Sequence, residues 1–259
     1  MDLRPIGFFD SGLGGVSVLK SAVKLLPHEN YLYFGDNGNA PYGDKTAGEI
    51  TKLTFHGARL LVSKGVKAIV LACNTATGTC INKIRSELAV PVVSIEPAIK
   101  PACEAPGNGK VLMLATAATV KLARYQALVR RMPDPGRVLS VPCPGLVDRI
   151  EKGVFEDDAF DDVLSRCLAP YEGMEIDAIV LGCTHYPFIK GAIRRYAAAH
   201  FRGEPIFCDG SDGTAKQLCR VLSARKMTNP SGSGRVDFLT SGDRALLAPL
   251  YEALLSKEI

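Results

Sequence analysis

"KAIVLACNT", residues 67–75, returns as "DAIVLGCTH" at residues 177–185. In both copies an apolar run rich in β-branched residues ends at a cysteine, and polar residues follow. Uninterrupted apolar runs of this kind are typical of strands buried on both faces of a parallel sheet. We therefore predict two such strands, which present Cys73 and Cys183 at their carboxyl ends.

Seven further strand-like runs occur along the chain and alternate with helix-like segments. Between residues 47 and 64, apolar residues recur at the spacing of one helix face. Alternating strands and helices predict an α/β fold in which helices cover both faces of parallel sheets. The nine predicted strands begin near residues 6, 31, 68, 92, 111, 137, 178, 205 and 235.

Two halves of the chain follow the same plan. The spacing from Asp10 to Asp36 equals that from Thr116 to Pro142, and both cysteine strands lead through a helix to a strand that a proline introduces. Any two α/β halves of similar length could align in this way, but the shared "AIVL-x-C" ending favours a duplication. We predict two pseudo-symmetric α/β domains with parallel sheets and the active site in the cleft between them. Residues 1–97 with 208–259 form the first, discontinuous domain, and residues 98–207 form the second.

Composition argues against several classes of function. The 259 residues carry a net charge of +4, and no long basic run concentrates it, so we expect no nucleic-acid partner. No window of about 18 consecutive apolar residues is present that could span a membrane. The N-terminal stretch lacks the apolar core of a signal peptide, which predicts a cytoplasmic protein.

The eight cysteines allow several interpretations. An even number permits disulfides, but a chain without an export signal is expected to keep free thiols. A zinc site built on Cys183 and His185 is an alternative, which the absence of any CxxC pair weakens. Most of the cysteines are expected to be small core residues. Cys73 and Cys183 therefore remain open to a role in the core, at a metal or as reactive thiols.

The strand ends carry the residues that decide between these roles. Ligands of open parallel sheets bind at the carboxyl ends of the strands, where Ser11, Asn74, Thr75 and Thr184 are placed. Hydroxyls, an amide and the N–H groups of helix N-termini suit a carboxylate ligand. Two opposed thiols suit an enzyme that inverts a stereocentre, because one removes a proton from one face while the other delivers a proton to the opposite face.

Five motifs add a resemblance that covers nearly the whole chain. The sequence resembles glutamate racemase, of the aspartate/glutamate racemase superfamily, and the resemblance implies interconversion of L- and D-glutamate without a cofactor or metal. It further implies a cytoplasmic homodimer that supplies D-glutamate for peptidoglycan and cell shape. The motifs are "GFFDSGLGGVSVL" (7–19), "APYGDKT" (40–46), "ACNTAT" (72–77), "CPGLVDRIEKG" (143–153) and "LGCTHYP" (181–187).

The resemblance also implies roles for individual residues. Cys73 would deprotonate D-glutamate with help from Asp10, and Cys183 would deprotonate L-glutamate with help from His185; Glu151 matches a further supporting acid. Ala118 stands where the family usually has glycine, a departure from the family pattern that would alter the approach of the backbone to the substrate beside Thr116. A racemase for another acidic amino acid, such as aspartate, is the nearest alternative. The positions that match substrate-binding residues are Asp10, Ser11, Pro41, Tyr42, Gly43, Asn74, Thr75, Thr116, Thr184 and His185.

Overall fold

The computed structural model describes residues 2–259, and nine strands form two sheets that are parallel throughout. All nine predicted strands are present, so the predicted fold class of two parallel-sheet α/β domains is confirmed. The strands are β1 (Ile6–Asp10), β2 (Tyr31–Gly35), β3 (Ala68–Leu71), β4 (Val92–Ser94), β5 (Lys110–Ala115), β6 (Val138–Pro142), β7 (Ile176–Leu181), β8 (Ile206–Asp209) and β9 (Val236–Thr240).

Eleven α-helices connect and cover the strands in the described part of the chain. The helix predicted over residues 47–64 is α2; it begins at a capping box in which Thr46 and Glu49 satisfy each other's backbone N–H groups. The helices are α1 (Val16–Leu25), α2 (Ala47–Ser63), α3 (Asn74–Glu87), α4 (Ile99–Cys103), α5 (Ala117–Lys121), α6 (Ala123–Arg130), α7 (Leu146–Glu151), α8 (Asp161–Leu168), α9 (Lys190–His200), α10 (Ser211–Ala224) and α11 (Arg244–Ser256). Short 3₁₀ turns occupy Asn37–Asn39, Tyr42–Asp44, Pro135–Arg137, Asp157–Phe160, Ala169–Tyr171 and Tyr186–Ile189.

Both sheets follow the same strand order. The first sheet runs β4-β3-β1-β2-β9. The second, taken from its opposite edge, runs β8-β7-β5-β6, so its four strands correspond to β4-β3-β1-β2 and β9 is an additional edge strand of the first sheet. Each sheet is packed on both faces, and β3, for example, has no exposed residue. Continuous burial explains why the strands appear in the sequence as unbroken apolar runs.

The backbone register corrects one detail of the sequence alignment. The N–H of Asp36 bonds the carbonyl of Asp10, and the N–H of Cys143 bonds that of Ala115. Asp10 therefore corresponds to Ala115, and the match of Asp10 with Thr116 was wrong by one residue. The N–H groups of Ala72 and Gly182 bond equivalent carbonyls of β1 and β5 in the same way, so the cysteines that follow them do correspond.

The division into domains stays a proposal, with its second boundary moved. β8 pairs with β7, so residues 208 and 209 belong to the second sheet. The helix that follows, α10, packs against α1 in the first domain, so the chain returns to that domain after Asp209. Within residues 2–259, no helix has the length and apolar character needed to cross a membrane.

Candidate active site

Cys73 and Cys183 occupy equivalent positions, each two residues beyond the end of a central strand. Cys73 follows β3 and caps the N-terminus of α3, where its Sγ accepts the N–H of Ala76 at 3.5 Å. Cys183 follows β7, and its Sγ lies 3.5 Å from Nδ1 of His185. Both thiols are free and almost buried. The duplicated fold thus presents one thiol from each domain.

Both thiols line a single small cavity, to which residues of both domains contribute. Nine of the ten positions predicted to bind substrate line it, while Asp10 and Glu151 lie behind the lining. Val147 and Gly182 were not identified from the sequence, because neither carries a chemical group that marks a site. The lining residues are Ser11, Pro41, Tyr42, Gly43, Cys73, Asn74, Thr75, Thr116, Val147, Gly182, Cys183, Thr184 and His185.

A larger cavity lies between α3 and α6 and shares Asn74 with the small one. Its lining contains neither cysteine nor histidine, whereas the small cavity is lined by both equivalent thiols and by His185. The small cavity is therefore the candidate active site.

Cys183, His185 and Glu151 form a continuous row. Nε2 of His185 lies 2.5 Å from Oε1 of Glu151. We assign a proton to Nε2, which donates it to that carboxylate. Burial disfavours the charged ring, but Cys183 and Glu151 outweigh this and raise the pKa of His185 well above its ordinary value. Nδ1 of the ring lies within reach of the Cys183 sulfur, where it can exchange a proton with that thiol. The row therefore supplies a base on one side of the cavity.

Cys73 lies in a different environment. Burial, reinforced by the negative charge of Asp10, raises the pKa of Cys73 to about 12, although Ser11 and the N–H of Ala76 act in the opposite direction. The Cys73 thiol donates to Oγ of Ser11 at 3.4 Å. Burial therefore keeps Cys73 in its protonated thiol form near neutral pH.

Asp10, at the end of β1, is fully buried. Its Oδ1 accepts the N–H of Gly12 at 3.0 Å, and its Oδ2 accepts the hydroxyl of Thr184 at 3.1 Å. Burial raises the pKa of Asp10 to about 6, against the opposing effects of His185, Gly12 and Thr184. Asp10 thus influences Cys73 through its charge, while its hydrogen bond reaches across to Thr184 in the second domain.

The "DSGLGG" loop requires glycines because it packs closely against the row formed by Cys183, His185 and Glu151. A Cβ on Gly12 would lie 1.9 Å from Oε1 of Glu151, and a Cβ on Gly14 would lie 2.4 Å from Nδ1 of His185. The N–H of Leu13 between them donates to Oε1 of Glu151 at 2.7 Å. The loop therefore approaches the acid and the imidazole closely, which only residues without a side chain permit.

The remaining predicted residues supply polar groups around the cavity. Hydroxyls of Thr75 and Thr116 lie 3.1 Å apart and join the two domains. The hydroxyl of Tyr42 donates to Asp36 at 2.6 Å. Oδ1 of Asn74 is buried without a hydrogen-bond partner. Since buried acceptors are nearly always satisfied, this oxygen is suited to a ligand's donor.

The alternative of a metal site finds no arrangement of ligands. Across residues 2–259, no cluster of three or more His, Cys, Asp or Glu side chains has a geometry that could hold a metal ion. The other six cysteines, also free thiols, lie outside the cavity lining: Cys80, Cys103, Cys143, Cys167, Cys208 and Cys219.

Sequence comparisons identify relatives along most of the chain. The family model described as Asp/Glu/Hydantoin racemase matches residues 17–208. The glutamate racemase of Clostridium perfringens is 42% identical over 254 residues, which are 97% of this chain and 96% of that protein. The glutamate racemase of Clostridium kluyveri is 42% identical over 257 residues, 98% of each chain.

Solved structures show the same similarity in three dimensions. Glutamate racemase from Francisella tularensis in complex with D-glutamate superposes with a TM-score of 0.83 at 29% identity, covering 100% of this chain and 96% of that one. Escherichia coli glutamate racemase in complex with L-glutamate and the activator UDP-MurNAc-ala gives 0.80 at 27% identity, with 97% and 95% covered.

Proposed function

The chain belongs to the aspartate/glutamate racemase family and is an amino-acid racemase, and we propose that it interconverts L- and D-glutamate by proton transfer to and from Cys73 and Cys183. The observation that carries this proposal is the pair of equivalent thiols lining one cavity. A planar carbanion-like centre held between them could be protonated from either side. Two acid/base groups on opposite faces allow inversion at an α-carbon, because one removes the proton and the other delivers a proton to the opposite face.

We propose that L-glutamate reacts first, with Cys183 as the base, because burial and the charge of Asp10 keep Cys73 protonated. The Cys183 thiolate, supported by the row of His185 and Glu151, takes the α-proton from one face. The Cys73 thiol then gives its proton to the opposite face, which releases D-glutamate and leaves Cys183 as thiol and Cys73 as thiolate. The starting protonation states return in one of two ways. D-Glutamate reacts by the same steps in reverse order, or the two thiols exchange protons with solvent.

The cavity must also stabilise the charge that develops at the α-carbon. Electrostatic contacts in a site strengthen when the bound substrate displaces water from it. We propose that Oδ1 of Asn74 accepts a hydrogen bond from the substrate ammonium, which satisfies its buried oxygen. Hydroxyls of Ser11, Thr75 and Thr116, and backbone N–H groups beside them, would bind the carboxylates.

Glutamate is the substrate that the relatives favour, and aspartate is the alternative to test. We expect the purified chain, without added cofactor, to abolish the circular-dichroism signal of either glutamate enantiomer and to act on aspartate far more slowly. EDTA is expected to leave the rate unchanged. Faster turnover of aspartate would overturn the substrate assignment, and loss of activity with the chelator would overturn the thiol mechanism.

The cellular role is a proposal that membership of the family supports. We propose that the enzyme acts in the cytoplasm as a cofactor-independent homodimer and that its D-glutamate enters peptidoglycan. Sedimentation of the purified chain measures the oligomeric state, and a monomer at working concentration would contradict the dimer.

A further inference from the structure

Glu151 has a second partner that the proposed reaction does not use. While Oε1 of Glu151 accepts from His185, Oε2 accepts from Nδ2 of Asn37 at 2.7 Å. Asn37 lies in the turn after β2, in the first domain, whereas Glu151 ends α7 in the second domain. One amide therefore holds the free oxygen of the carboxylate that orients the imidazole.

The orientation of the Asn37 amide is fixed from behind. Its Oδ1 accepts the hydroxyl of Thr240 at 2.9 Å, at the end of β9, and the hydroxyl of Tyr251 in α11. The Thr240 oxygen also accepts the N–H of Gly242, so its hydroxyl proton is the one directed at Asn37. With two donors on Oδ1, the amide nitrogen must face Glu151.

Tyr251 is itself held rigidly. It is 1% exposed, and its ring stacks on Phe238 with centroids 4.9 Å apart and planes at 7°. A Cβ on Gly35 would lie 2.0 Å from its hydroxyl oxygen, so the hydroxyl occupies space that a glycine leaves open. The position of the phenol is therefore set by packing, and only its hydroxyl contacts Asn37.

We propose that Asn37, oriented by Tyr251, is a positioning residue for proton transfer at Cys183, acting through Glu151 and His185. The inference rests on the proposed function, since it assigns a residue to one side of the two-thiol reaction. Asn37 keeps the carboxylate in line with the imidazole, and the imidazole keeps Nδ1 on the Cys183 sulfur. Cys73 has no link to this amide in the hydrogen bonds described above.

The alternative is that Asn37 is only a contact between the two domains. A loss of rate alone does not separate the two roles, because the equilibrium constant between enantiomers is one and kcat/KM must fall equally in both directions. The α-deuterium isotope effects do separate them. Slower transfer at Cys183 makes abstraction from L-glutamate more rate-limiting, while abstraction from D-glutamate by Cys73 becomes a prior equilibrium.

The test compares α-deuterated L- and D-glutamate with Asn37→Ala, Tyr251→Phe and the wild type. We expect kcat/KM to fall by about tenfold for Asn37→Ala, because the row that supports Cys183 is misaligned, and less for Tyr251→Phe. In both variants the isotope effect on kcat/KM should rise for the L-enantiomer and fall for the D-enantiomer. Tyr196→Phe is the matched control, since it removes a tyrosine hydroxyl that donates to Glu172 outside the cavity; it should match the wild type.

The results distinguish the inference from the function on which it rests. Isotope effects that change equally for the two enantiomers, or do not change, would show that Asn37 has only a structural role. Tyr251→Phe keeps the stacked ring, so its isotope effects still distinguish a positioning role from a structural one if Asn37→Ala fails to fold. A wild-type protein that does not racemise glutamate would instead refute the proposed function.

Discussion

Cys73→Ser and Cys183→Ser are each expected to lower the kcat of glutamate racemisation by roughly a thousandfold, in keeping with the loss of one acid/base group. A serine hydroxyl fits the space of the thiol but is a far weaker acid, so it neither forms the base nor delivers the proton readily. Both directions of the reaction use both thiols, and each single substitution should therefore inactivate both. The measurement is the decay of circular dichroism from either enantiomer.

The two variants should differ in a partial reaction. With Cys73 replaced, Cys183 can still remove and return the α-hydrogen of L-glutamate, so L-glutamate should exchange with deuterated water without inversion. Cys183→Ser should show the same for D-glutamate. Cys80→Ser is a suitable control, because Cys80 is also buried and lies on α3, the helix that Cys73 caps, but outside the cavity. Variants that racemise at the original rate would refute the mechanism.

Asp10→Asn is expected to stabilise the fold at pH 8 while it lowers activity by about a hundredfold. The pKa of Asp10 rises from 3.8 to about 6 on folding because the carboxyl is buried. A raised carboxyl pKa contributes stability below pH 3.8, and that stability is lost as pH rises through 6. The shift corresponds to about 3 kcal/mol at about 1.36 kcal/mol per pH unit. Asparagine carries no charge and avoids this loss.

The difference in unfolding free energy between Asp10→Asn and wild type should therefore grow in favour of the variant between pH 4 and pH 8. Urea unfolding at a series of pH values measures it, and the titrating groups that do not interact with Asp10 cancel in the difference. Asp158→Asn, in an exposed turn, controls for the loss of one negative charge. A difference that is flat or falls with pH would show that burial does not raise the pKa of Asp10.

Much of the fold could be predicted because burial leaves a simple trace in the sequence. β3 and β7 are buried along nearly their whole length, so their residues form unbroken apolar runs. The equivalence of Cys73 and Cys183 was visible for the same reason, since each follows such a run at the same distance. The one-residue error at Asp10 arose because spacing along the chain does not show where strand pairing ends and a loop begins.

The contacts behind the cavity could not be predicted from the sequence. Asn37 lies in "DNGN", which has the composition of a turn, and its contact with Glu151 joins residues 114 positions apart. The hydrogen bond from Thr184 to Asp10 spans 174 positions. The "DSGLGG" glycines were identified in a motif, but their physical reason, the approach of Glu151 and His185, depends on how the two domains meet.

The most direct test of the two-thiol reaction is to follow hydrogen in deuterated water during the first turnovers of L-glutamate. In deuterated water Cys73 carries deuterium from the solvent, so the first D-glutamate formed should carry deuterium at the α-carbon. Cys183 returns the proton that it removed, so the remaining L-glutamate should keep protium. Mass spectrometry after separation of the enantiomers measures both. D-Glutamate that retains the original protium, or deuterium that enters L-glutamate as fast as the product forms, would show that a single base serves both faces.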